Sequence, residues 1–437
     1  MSAIASFMAG RGHLVIGSDR SFKKNTDHPL YALLVNQGIT IVPHDGSGID
    51  SSIDLAVFST AVEDTQPEVK RARDLGTPMK TRPEYLSEIA AEFKTIAVAG
   101  TSGKSTIAGM LAFVMHKLGL EPNYIGGGRV KPFKSQSNAG NSLNGNSDLL
   151  IIEACESDDS ITHYHPVFSI IANLGLDHHA IEKTAEMFET FGRNTEEMVV
   201  INGDDGNLKR CRFDKPITFS IETPSQYQAK GIEYQPLRTV FSLHGIDYNL
   251  SLPGQYNLYN ALSCIALLSE MGTPLKDIAE ILPSFSGLDR RFDIHLNTGK
   301  RLVIDDYAHN PHKISSLMGF IKTFRHRVCY IFQPHGFGPT RFMKQEYIDV
   351  FAKNLREEDH LILLPIYDAG GTTLRDISSE DLSYAIDGAG KSVEVLHERP
   401  MLIERIKEWD TYVVFGARDE TLSEYAKEIA LKLRGIE

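Results

Sequence analysis

Cysteine, tryptophan and long apolar runs are what this chain has least of. Its four cysteines, Cys155, Cys211, Cys264 and Cys329, lie far apart and show no paired metal-ligand spacing. A disulfide framework and a structural zinc are therefore not expected, and the thiols read as reduced, partly buried groups of a cytoplasmic protein. No stretch of about 18 apolar residues occurs, so no membrane span is expected. The first residues lack the basic-then-apolar order of a secretory signal. Positive charge is short as well: 45 Lys and Arg against 57 Asp and Glu leave a net charge of −12. The cations are scattered, which argues against a nucleic-acid partner. An acidic chain still binds anions wherever a few of its cations converge.

The chain has 437 residues, which predicts two to four domains. Its 42% hydrophobic and 23% charged content is that of a soluble globular protein. Three blocks follow one another. In residues 1–88, strand-type runs at His13–Asp19, Ile39–Pro43 and Leu55–Thr60 alternate with helix-type runs at 1–12, 28–38, 65–76 and 82–90. Residues 89–291 carry buried-strand candidates at Thr95–Ala99, Leu149–Ala154 and Phe168–Ala172, and a long helix at Asn257–Met271. A hinge is expected around Pro283–Arg291, after which residues 292–437 alternate again. Strand alternating with helix predicts α/β domains built on parallel sheets.

The richest stretch is TIAVAGTSGKST, Thr95–Thr106. An apolar strand enters a Gly-rich turn, and the helical pattern Ile107–Lys117 leaves it. Gly100, Thr101, Ser102 and Gly103 would turn backbone N–H groups toward a phosphate at a helix N-terminus, with Lys104 beside it. The Ser105 and Thr106 hydroxyls can face a Mg²⁺ ion on those phosphates. The usual longer loop has glycine where this chain has Val98, so the match is to the shorter GxxGKST form. An ordinary strand–turn–helix with a surface lysine is the plainer alternative. The pattern by itself implies a bound nucleotide.

Further candidates lie at strand ends, where open α/β sheets bind ligands. Ile151–Ser160 delivers Glu153, a natural Mg²⁺ ligand among apolar neighbours, followed by Glu156, Asp158 and Asp159; a solvated acidic loop suits the last two. Ile170–His179 ends in Asn173 and His178, which can orient phosphates or a second metal, although His178 after Asp177 also suits a helix cap. Asn257 and Asn260 share one helix face and can bind a purine or phosphate; capping is the alternative for Asn257. Arg290 and Arg291, at the hinge, can neutralise a transferring phosphoryl group, with an interdomain salt bridge as the alternative for Arg290. Val303–Ile314 ends a strand in Asp305–Asp306, where a carboxylate can hold a ribose or orient an amine, with His309 in the following turn. His335 and Arg341, in the Gly/Pro-rich loop of Tyr330–Phe342, suit an anionic substrate.

Taken in order, these motifs resemble the Mur ligase family, the ATP-dependent peptidoglycan amino-acid ligases. GTSGKST looks like that family's phosphate loop. EACESDDS and NLGLDHH are similar to the EADESD and N…DH segments of the branch that adds L-alanine to UDP-N-acetylmuramate. PGQYNLYNA resembles PGxHNxxNA, with Tyr256 in place of histidine, and RRFD and DDYAHNP match the hinge arginine and the C-terminal aspartate. FQPHGFGPTR resembles FQPHRFTRTR, with Gly336 and Gly338–Pro339 where that branch has Arg and Thr-Arg. Ala180 stands where an aspartate is frequent.

The resemblance implies three domains. The first, 1–88, is a Rossmann-like UDP-sugar domain lacking its first strand and Gly-rich loop. The second, 89–291, is a P-loop ATPase-type domain, and the third, 292–437, is a Rossmann-like amino-acid domain. It implies Ser18, Asp19, Ser59 and Thr60 as UDP-sugar contacts and His335 and Arg341 as substrate contacts. Ser105, Glu153 and His178 become metal ligands. ATP would be held by Gly100–Thr106, Asn257, Asn260, Arg291, Asp306 and His309. Lys104, His178, Arg291 and Asp306 become the catalytic set. The implied reaction is ligation through an acyl phosphate, with domain closure about the hinge excluding water. The expected partners are a UDP-sugar carboxylate and an amino acid, with no nucleic acid and no membrane, in a monomer or homodimer. Three alternatives remain: a relative joining another amino acid or peptide to another carboxylate, a non-catalytic nucleotide-binding homologue, and an unrelated P-loop phosphotransferase.

Overall fold

A computed structural model describes all residues except 21, 23–28, 61, 158, 177–178, 369–372, 407 and 436–437. The chain divides into two compact units, Met1–Leu288 and Asp289–Glu437. The alternation of strand and helix is realised in both.

The first unit opens with helix Ser2–Gly10 and two parallel strand pairs, Ile16–Gly17 with Thr40–Ile41 and Ala56–Phe58 with Met79–Thr81. Among the described residues no strand joins the two pairs. Their strands are shorter than the apolar pattern suggests. Phe7 and Ile4 of the first helix, and Leu86 and Ile89 of helix Arg82–Ala91, share one core with Ala97, Ile152 and Phe188 of the following segment. That shared core is why blocks one and two form a single compact unit.

The main sheet of this unit has eight strands. Lys94–Ala99 lies inside it, flanked by Leu149–Glu153 on one side and Phe168–Ile171 on the other, all parallel. The chain fills one side of Lys94–Ala99 and then crosses to the other, so the carboxyl end of this strand is the switch point where such sheets bind ligands. Helix Lys104–Lys117 leaves from that point. It is apolar almost all round, as a fully covered helix must be, and ten of its residues, Thr106 to Met115, are buried. Helix Gln255–Glu270 covers it. A three-stranded antiparallel sheet, Lys230–Leu250, adds the stacked pair Phe241–Tyr248, 5.0 Å between ring centres.

The second unit is a six-stranded sheet in the order Asp293–Asn297, Leu302–Asp306, Thr411–Gly416, Val328–Gln333, His360–Leu363, Val393–Val395, antiparallel only at its first pair. Val328–Gln333 and Thr411–Gly416 are buried at every position, which is the mark of parallel strands covered on both faces. Asp306 pairs with Phe415, and Gln333 with Gly416. Three strand ends therefore meet at one edge of the sheet.

Candidate functional site

The Gly100–Thr106 turn is held by backbone geometry that only glycine meets cheaply. Gly100 and Gly103 have φ of 136° and 88°, in the left-handed half of conformational space. A Cβ on Gly103 would lie 2.5 Å from Asn260 Oδ1. Asn173 splints the turn from the neighbouring strand. Its Oδ1 accepts from Thr101 Oγ1 (2.8 Å) and Ser102 N (2.9 Å), and its Nδ2 donates to Ser102 O (2.9 Å). Its amide is therefore engaged with the loop, where the sequence suggested phosphate or metal.

Lys104 Nζ donates to Gly100 O (2.5 Å) and to Glu156 Oε2 (2.8 Å). Burial opposes the ammonium charge, and Glu156, Cys155 and Glu153 outweigh it, holding the lysine above its ordinary value. Glu156 is 2% exposed and is the lysine's counter-ion. Beside it, Ser105 Oγ donates to Glu153 Oε2 (2.7 Å), and Gly127 N to Glu153 Oε1 (2.5 Å). A hydroxyl and a carboxylate oxygen this close are a hard-oxygen pair that fits Mg²⁺ completing its shell with water and phosphate. Thr106 is buried in the first helical turn. His178 and Asp158 lie outside the described residues. Asp159 is bound by Lys183 (3.0 Å).

Asn257 and Asn260 do share one face, Asn260 Nδ2 donating to Asn257 Oδ1 (3.4 Å). The capping alternative for Asn257 gives way: Gly254 is the cap, and Asn257 Nδ2 donates to Pro253 O (2.8 Å) inside the first turn. Asn260 sits over Gly103 and so borders the phosphate turn.

In the N-terminal block, Ser18 follows one strand and Ser59 and Thr60 follow another. Ser18 Oγ donates to Glu68 Oε1 (3.2 Å), which also lies 2.8 Å from His44 Nδ1. Asp19 is exposed. His44 and Glu68, which meet beside Ser18, are not among the residues that the sequence pattern singles out. A histidine before a Gly-rich run was the available signal; a buried glutamate in a helical first turn offered none.

In the second unit the interdomain salt bridge given as the alternative for Arg290 gives way to contacts within that unit. The arginine is 2% exposed, and donates to Gly416 O (2.6 Å) and Asp419 O (2.9 Å) beside Asp305 (3.4 Å). Arg291 stands over the Tyr307 ring, 4.8 Å from its centre. Both Asp306 oxygens accept backbone amides, from Phe292 and Ala308 at 2.7 Å each, so this carboxylate shapes the turn. Burial raises its pKa, and Arg291 opposes that rise. His309 Nδ1 lies 2.9 Å from Tyr307 O, and its ring meets His335 edge to face at 5.2 Å. Burial, then Lys313, pushes His309 down to about 3; burial and Arg418 push His335 down to about 4. Both are neutral at pH 7. In this segment His335 brings no charge, and Arg341 is paired with Asp376 and donates to Leu374 O (2.9 Å).

Comparison with known proteins matches three family models along the chain: Mur ligase family, catalytic domain, at 1–94; Mur ligase middle domain at 98–268; and Mur ligase, glutamate ligase domain, at 290–418. The UDP-N-acetylmuramate–L-alanine ligase of Fusobacterium nucleatum is 33% identical, over all of this chain and 95% of its own length. That of Caldanaerobacter subterraneus is 30% identical over 93% and 89%. The crystal structure of a UDP-N-acetylmuramate–alanine ligase from Thermotoga maritima superposes with a TM-score of 0.82 at 27% identity, covering 100% of this chain and 97% of that one. A murein peptide ligase from Psychrobacter arcticus shares the fold, with a TM-score of 0.70 at 23% identity over 99% and 96% of the two chains.

Proposed function

Because this chain belongs to the Mur ligase family, we propose that it joins L-alanine to the carboxylate of UDP-N-acetylmuramate, splitting ATP to ADP and phosphate in the cytoplasm as part of peptidoglycan synthesis. The observation that carries the reading is the Lys104, Ser105 and Glu153 cluster on the phosphate turn at the switch point of the sheet. The boundaries 1–88, 89–291 and 292–437 remain our division of labour: nucleotide sugar, ATP and amino acid.

In this reading the turn amides and Lys104 hold the β- and γ-phosphates. Ser105 and Glu153 would hold Mg²⁺, with His178 proposed for a second ion, and the metal would supply charge neutralisation on the phosphates. The acceptor carboxylate oxygen bonds to the γ-phosphorus as the bond to ADP breaks, leaving an acyl phosphate. The amine then bonds to the acyl carbon, the carbon–oxygen bond to phosphate breaks, and the amine's proton is lost. To Lys104 and Arg291 we assign the task of meeting developing negative charge. Asn257, Asn260, Asp306 and His309 are assigned to nucleotide and amine orientation, and Ser18, Asp19, Ser59 and Thr60 to the UDP-sugar.

Lys104→Ala is expected to abolish amino-acid-dependent ADP release, and hydroxylamine is expected to trap an acyl phosphate in the unmodified chain. Near-normal turnover in the variant would refute the assignment. The uncharged Gly336 and Gly338–Pro339 favour a second reading in which the amino acid differs from alanine; a panel of the twenty L-amino acids in the same assay decides it.

A further inference from the structure

The meeting point of three strand ends in the second unit carries polar groups that the site above does not use. Gln333 Oε1, His335 Nδ1 and Thr340 Oγ1 are buried without a hydrogen-bond partner among the described residues. Gln333 is 7% exposed and Thr340 fully buried. These unmatched atoms lie at the end of strand Val328–Gln333, in the turn after it and in the short helix Phe337–Phe342, and buried polar groups without a partner call for one. The cations around it are mostly committed. Arg290 is buried against backbone carbonyls, Arg399 is paired with Asp419 (2.6 Å), and Arg341 with Asp376.

Arg418 differs. It follows strand Thr411–Gly416, whose last residue pairs with Gln333. Its side chain is exposed and forms no ion pair among the described residues. Its φ is 65°, a left-handed conformation that disfavours a long side chain and favours glycine. Its backbone N–H donates to Tyr307 Oη (3.3 Å), and that ring carries Arg291 and meets His309. Its charge bears on His335.

We propose that Arg418, in place of any residue of the 335–341 loop, binds the carboxylate of the incoming amino acid. The inference rests on the ligase reading above. A guanidinium is the group best shaped to grip a planar carboxylate. The neutral His335, on which the Arg418 charge bears, and His309 against its ring can take hydrogen bonds from an amine without repelling it. The other anion available in the reaction is phosphate of ATP, so the test separates the two.

The full chain is assayed for ADP release with the best of the twenty L-amino acids and with its carboxamide, which lacks the negative charge. The wild type is expected to prefer the free acid by about 10- to 100-fold in kcat/KM, the range of a charge-assisted contact. In Arg418→Gly this preference falls to near one, KM for the amino acid rises by a similar factor, and KM for ATP stays within about twofold. Because glycine suits the left-handed backbone, the variant is expected to unfold no earlier than the wild type. Arg418→Lys restores part of the preference. Retention of the acid preference in Arg418→Gly overturns the proposal. So does a rise in KM for ATP instead, or loss of the preference in Arg341→Gln alone. A wild type inert to every amino acid overturns the ligase reading and this one together, whereas an active wild type with an unaltered Arg418→Gly overturns this one only.

Discussion

Single residues at the phosphate turn are set against one another by charge. Lys104 is nearly enclosed, and Glu156 is the group that keeps its ammonium there. Glu156→Gln preserves the shape and removes the counter-charge. It is expected to cost about 1–3 kcal/mol of stability, read from urea midpoints, and the cost should shrink when saturating nucleotide supplies its own negative charge to Lys104. The two histidines of the second unit make a pH prediction. Their folded values, about 3 for His309 and about 4 for His335, lie below the ordinary 6.5. Between those values the unfolded chain binds more protons than the folded one, so stability rises with pH. It is fully present above about 6.5 and is lost as pH falls toward 4. Unfolding midpoints between pH 7 and 4 should show this slope, and a His309→Asn, His335→Asn double variant should flatten it.

Elements show how much of the site is backbone. The turn between Lys94–Ala99 and Lys104–Lys117 is held because Asn173, two residues past the end of the neighbouring strand Phe168–Ile171, engages Thr101 and Ser102 by both ends of its amide. Asn173→Ala removes three hydrogen bonds and is expected to raise KM for ATP by roughly tenfold or more, each contact being worth about 1 kcal/mol. Unchanged KM with lowered stability would make the residue a purely structural one. Gly103→Ala meets Asn260 Oδ1 and a positive φ together, and nucleotide binding by calorimetry is expected to be lost. The turn, its lysine and its helix were legible in sequence because glycine, lysine and hydroxyl positions agree with the flanking periodicities. The splint was not, since Asn173 reaches the turn only through strand pairing. The partner of Arg341 was hidden for a related reason: it reads as a free cation until the fold brings Asp376 to it.

At the scale of the molecule, the chain divides into two compact units, Met1–Leu288 and Asp289–Glu437. Phe7, Leu86 and Ile89 bury themselves against Ala97, Ile152 and Phe188. The second unit keeps a core of its own, including Ile331, Tyr412, Val414 and Leu433. Residues 289–437 expressed alone are expected to unfold in one cooperative denaturant transition, whereas residues 1–94 alone are expected to show none, because their helices lose the sheet they cover. Helix and strand type, the phosphate turn and the order of motifs were determined by the sequence, because each is a local pattern of apolar spacing, glycine and charge. Which carboxylate faces Lys104, which arginine is committed and which stands free, and where Asn173 and Arg418 lie were decided by tertiary structure alone. Those outcomes depend on strand order and burial, which bring together residues that no spacing along the chain connects.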